Sequence, residues 1–258
     1  MSSTPPVKSF NTFRNLVQTP LAERRALADT TYLVHIKGTA PLSFEYAMPA
    51  RVLQAFAPDA YSQAFQVPAT VGECGLVPAF HILILPACAV DPEAVTYVLD
   101  WMKECCYVYR PAKMVMPSTF FAWIELLKAS QLLQVRIAEA FSWSLVAEFI
   151  TYNPLEWEHL NCIMRGFPLD SKIVRHLVHN VQYLRHKGGL TLSALNYINT
   201  NPYFNQLLDE VTAQYYLNRM NRTTSADPHR HRNHQYGAFY GDGHFNHTGL
   251  FNGNNGVM

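Results

Sequence analysis

The chain has 258 residues, 49% hydrophobic and 15% charged, with a formal net charge of +1. That is length for one large domain or two small ones and apolar content for a sizeable core. A charge this close to zero excludes steering of the whole molecule toward nucleic acid or an anionic membrane, while a charged fraction below the roughly 25% of an average domain leaves apolar surface to face a partner.

Residues 1–28 form a polar lead with Pro5, Pro6 and Pro20. Tyr32–Lys37 is rich in β-formers, and Leu42–Tyr46 alternates apolar and polar residues, so the two read as strands joined by a turn. Val52, Leu53 and Phe56 share one face of a short helix. Gln66–Pro78 holds two prolines and two glycines and reads as a loop. His81–Leu85 reads as a buried strand. Asp91-Pro92-Glu93 is a helix start, with a cap, a first-turn proline and an acid near the positive end. Pro111 and Pro117 bracket a break. Thr119–Ile150 predicts two helices with a joint at Leu133-Gln134-Val135.

Beyond Pro154 the pattern is helical: a short helix over 156–164, then Asp170–His186, capped by Asp170 and stopped by Gly188-Gly189. Another begins at Asn201-Pro202. Residues 221–258 hold five of the eleven histidines and six of the twelve glycines. They lack the apolar content to offset ordering entropy and are expected to be disordered.

No phosphate-binding, dinucleotide, nucleophile-elbow or zinc-protease motif occurs. Glu156, Glu158 and His159 offer acid–base groups, against the plainer reading of a solvated helix start. Lys172, Arg175, His176 and His179 make one helix basic, either a contact for an anionic partner or a solvated face. The tail histidines lack a scaffold for a specific metal site. The five cysteines, odd in number and without C-x-x-C spacing, read as reduced, small buried hydrophobes. Met1–Phe10 has no signal-peptide core, and no stretch reaches the roughly 18 apolar residues of a membrane span. The expectation is an intracellular protein, cytoplasmic or nuclear, without membrane association.

Asp29–Ile36 looks like the first strand of a BTB/POZ domain. Tyr46–Leu53 through Ala57–Tyr61 and Ser62–Phe65 is similar to that family's helical hairpin. Asp91–Cys106 followed by Phe120–Val135 resembles its later helix pair. Residues 29–150 thus resemble the BTB/POZ fold, in the divergent form found in filamentous fungi. The resemblance implies an adaptor or scaffold that pairs with a second copy or a heteropartner, with no catalytic centre. No residue set matches the family's cullin-contact motif.

The expected fold is therefore α+β: the lead (1–28), a BTB/POZ-like small sheet with packed helices (29–150), an α-helical extension (151–220) and a disordered tail (221–258). Phe10, Phe13, Leu16, Val52, Leu53 and Phe56 are the expected dimer surface. No catalytic, cofactor or metal residue is assigned, and no small-molecule substrate is evident. The alternative is a nucleic-acid-associated regulator using the basic helix 170–187 and the tail.

Overall fold

The computed structural model describes residues 7–40, 44–68, 70–72, 75–77, 80–86 and 90–224, with 70–72, 75–77 and 218–224 described by their backbone. Residues 1–213 form one compact unit and 214–258 a second. The sheet, both hydrophobic cores and the sites below belong to the first. The expected disordered tail lies outside the described residues from 225 onward. Up to Thr224 the backbone continues as a helix, α11 (Pro202–Thr224).

The lead folds, contrary to its polar reading. It forms α1 (Phe13–Gln18) and α2 (Leu21–Ala28). Thr12 starts α1, its hydroxyl oxygen accepting the Asn15 N–H at 3.3 Å, and Leu16 turns inward with no exposure. These helices are too short to hold in isolation and depend on the packing they join.

β1 (Leu33–Gly38) pairs antiparallel with β2 (Glu45–Pro49), whose start lies three residues later than the alternation predicts. The chain then makes α3 (Ala50–Phe56) and α4 (Pro58–Tyr61). The stretch read as a loop contains three short strands. β3 (Phe65–Val67) joins the main sheet, and β4 (Thr70–Gly72) pairs with β5 (Gly75–Val77). Its glycines pair with each other, Gly72 opposite Gly75, rather than abolishing strand pairing. β6 (Phe80–Leu85) lies parallel to β1 and antiparallel to β3, giving the order β2-β1-β6-β3.

α5 (Pro92–Tyr107) begins where the sequence predicts, with the Asp91 carboxylate accepting the Glu93 N–H at 2.9 Å. α6 (Phe120–Leu132) and α7 (Arg136–Tyr152) meet at the expected joint, where Gln134 adopts φ 56° between fully buried Leu133 and Val135. α8 (Trp157–Gly166) and α9 (Lys172–Lys187) follow. Ser171, not Asp170, caps α9: its hydroxyl accepts the Val174 N–H at 3.4 Å. The Ser171 N–H is tied to the Pro168 carbonyl at 3.0 Å, which leaves Asp170 one residue outside the helix. Gly188 ends α9 in the left-handed region at φ 66°, where glycine carries no Cβ penalty. α10 (Leu192–Thr200) has no counterpart in the sequence reading. Thr191 caps it at the Ala194 N–H, 3.1 Å away.

Two apolar cores result. The first joins the inner face of the sheet (Val34, Ile36, Met48, Leu83, Leu85) to α3 and α5. The second joins α7 to α11 around Ile150, Leu160, Leu177 and Phe204. α6 serves both, sending Leu126 and Ala129 into the first and Phe120, Ile124 and Leu127 into the second. A helix apolar all round is a buried helix. The boundary expected at residue 150 falls inside the last turn of α7.

The irregular stretch between α5 and α6 is tethered by side chains. Trp101 donates its indole N–H to the Ala112 carbonyl at 3.2 Å, Tyr97 donates to Val115, and Trp123 donates to Pro117. Arg24, 1% exposed, donates to three backbone carbonyls: Thr19 at 3.1 Å, Cys105, and Tyr109 at 3.0 Å.

Candidate functional site

A strand sends alternate side chains to opposite faces. On β1 the inward residues are Val34 and Ile36, which leaves Leu33, His35 and Lys37 on the other face. Parallel register sets His35 beside Ile82 and Lys37 beside Ile84, and antiparallel register sets Ile82 beside Phe65. The outer face therefore carries Leu33, Phe65, Phe80, Ile82 and Ile84, none of which belongs to either core. Ile84 is 50% exposed, Phe65 49% and Leu33 37%. The Phe80 ring stands edge-on to His35, centroids 5.2 Å apart. At one margin Lys37 pairs with Glu45 at 3.2 Å, both side chains well exposed.

The residues expected to form a dimer surface lie elsewhere. Phe10, Leu16, Val52, Leu53 and Phe56 are at most 1% exposed, inside the first core. Phe10 is stitched there by its N–H to the Ala55 carbonyl at 2.7 Å, with its ring edge-on to Phe56. Phe13 is half-buried, edge-on to Phe141 at 5.3 Å. The surface that buries them is the chain's own.

The basic helix is divided. Lys172 stays exposed, its ammonium 4.4 Å from the centre of the Trp143 ring, and Arg175 and His179 are exposed. His176 turns inward against α7, with Nε2 3.3 Å from the Ala147 carbonyl oxygen and 3.2 Å from the Thr151 hydroxyl. Burial pushes its pKa down from 6.5, only partly opposed by the Ala147 bond. It is unavailable to an anion approaching the other three.

The acid–base cluster resolves into a helix start. The Glu156 N–H donates to His159 Nδ1 at 3.1 Å, a reciprocal capping arrangement. The His159 ring lies among Phe120, Phe121 and Phe149, within 5.8 Å of each ring centre. Burial lowers its pKa, against the pull of Glu156 and Glu158. Cys105 and Cys106 are buried free thiols pushed up to about 12 by burial, thiols rather than thiolates near neutrality. Cys74 and Cys88 lie outside the described residues.

Comparison with family models, with curated proteins and with solved structures finds no match. The site stands on its own geometry. The open sheet face escaped the sequence reading because His81–Leu85 is a continuous apolar run, which looks the same whether one face or both are covered. Among the described residues, only the lack of a second layer over half-exposed Ile84 distinguishes the two.

Among the described residues no helix is long and apolar enough to cross a membrane.

Proposed function

We propose that this chain is a protein–protein interaction adaptor working through the outer face of the β2-β1-β6-β3 sheet. One observation carries the reading: Leu33, Phe65 and Ile84 stand more than a third exposed on a single sheet face that neither core covers. Contiguous exposed apolar surface marks an interaction site.

A BTB/POZ-like architecture is part of this proposal. Its support is the element order: a β-hairpin, the helices α3 and α4, a strand returning parallel to the first, then α5, α6 and α7. The partner is a second copy or a heteropartner of similar kind. Lys37 and Glu45 at the margin favour self-pairing, because each copy offers both charges to the other. A mass measurement by light scattering over a dilution series tests it, comparing the natural chain with Ile84→Lys. Loss of the dimer in the variant supports the face. A monomer in both, together with unchanged capture of protein partners by Ile84→Lys, would overturn it.

A second reading, an anionic partner such as nucleic acid, rests on exposed Lys172, Arg175 and His179 along α9. Salt-dependent RNA or DNA binding that Arg175→Gln weakens would favour it.

A further inference from the structure

A groove of about 500 Å3 opens where the last turns of α6 and α8 converge beside Val90. Lys128 and Leu132 line it from α6, and Cys162, Arg165 and Gly166 from α8. Spacings of three and four residues hold each set on one side of its helix. Val90, Leu132 and Phe167 supply apolar walls, and among the described residues that line the groove none is acidic.

Lys128 is the fixed polar point. Its side chain is 14% exposed, and its ammonium lies 2.7 Å from one Glu125 oxygen. The other Glu125 oxygen accepts the Asp91 N–H at 3.0 Å. Both carboxylate oxygens are thus engaged and hold Lys128 in place, while an ammonium carries three donors and Glu125 takes one. Arg165 brings a second, more exposed cation from the facing helix. The carbonyls closing α6 are occupied by backbone, with Leu133 donating to Ala129, Gln134 to Gln131 and Val135 to Ser130 at 2.9–3.1 Å.

Gly166 keeps the space open. A Cβ there would sit 3.7 Å from Lys128 Cδ, an ordinary contact. Neither a clash nor a left-handed backbone requires glycine at this position, and the missing side chain leaves room along the lysine stem.

We propose that this groove binds a small amphipathic carboxylate, its charged end on Lys128 and Arg165 and its hydrocarbon against Val90, Leu132 and Phe167. A partly desolvated lysine beside a guanidinium makes charge-assisted bonds to a carboxylate, and the apolar walls take the remainder of the molecule.

Sodium octanoate titrated calorimetrically into the full chain tests this, with octanol and octylamine matching the tail and changing the head. A second readout is the rate at which N-ethylmaleimide modifies Cys162, followed by peptide mass spectrometry. The expected result is one saturable octanoate site that slows Cys162 modification, with octanol and octylamine at least about tenfold weaker. Gly166→Leu, which fills the groove, abolishes binding and protection at unchanged thermal stability. Lys128→Met weakens octanoate by at least about tenfold. Because that change also strips Glu125 of a partner, Arg165→Gln, at an exposed position, provides an independent loss of about threefold or more. Absence of saturation up to about 10 mM, far above the range of a specific site, would overturn the proposal. So would octylamine binding as tightly as octanoate, or octanoate binding unchanged in Gly166→Leu.

Discussion

The guanidinium of Arg24 donates to the carbonyl oxygen of Cys105, 81 residues further along the chain, and among the described residues no carboxylate pairs with it. The acceptor lies near the carbonyl end of α5, where a positive charge is favoured by the helix dipole. Arg24 thus closes α5, fixes Tyr109 in the following stretch and anchors the lead in one step. Arg24→Met removes all three bonds and leaves the buried Thr19 and Cys105 carbonyls without the Arg24 donors, for an expected loss of about 3 kcal/mol or more. Arg24→Lys recovers little of it, since a single ammonium does not reproduce the guanidinium fork. Urea unfolding of the three proteins measures both differences.

Gln134 occupies the left-handed region, where a side chain costs roughly 1 kcal/mol that glycine does not incur. Gln134→Gly is therefore expected to raise stability by about 0.5–1 kcal/mol, visible as a higher thermal midpoint. A lower midpoint would mean that the Gln134 side chain contributes more to the α6–α7 joint than its backbone costs.

His176 is held neutral against α7, its folded pKa below 6.5. In the window between that lowered value and 6.5 the unfolded chain binds more protons than the folded one, so stability rises with pH there. The contribution is complete above about 6.5 and is lost as the pH falls through the window. His159 acts in the same direction. His176→Gln should flatten the change in urea midpoint between pH 7.5 and 5.5 relative to the natural chain.

Neighbouring residues of β6 separate the two faces of the sheet. Leu83→Ala, at a position 2% exposed, is expected to cost about 2–4 kcal/mol. Ile84→Thr, half-exposed, should stay within about 0.5 kcal/mol. Leu53→Asp places a charge in the first core and should unfold the chain rather than release a folded monomer. A folded Leu53→Asp monomer on circular dichroism and light scattering would contradict the placement of α3.

Features with local causes were legible in the sequence. Asp91-Pro92 starts α5, Leu133–Val135 separates α6 from α7, and Gly188 ends α9, because a cap, a joint and a left-handed stop each need particular residues at particular places. What distant partners decide was not. α1 and α2 are short, and one of the most deeply buried side chains, Arg24, is charged. β3 exists through its pairing with β6, fifteen residues on. The candidate site divides the same way. The apolar character of Val52, Leu53 and Ile84 could be read directly, but which of them another layer covers depends on elements far away in sequence.

α6 is a party wall. With Leu126 facing one room and Leu127 the other, neither side can be demolished without exposing the shared partition. A chain cut after α7 would strip the cover from Phe120, Ile124 and Leu127. Modularity is thus absent at the boundary expected near residue 150, and damage to either half is inherited by its neighbour.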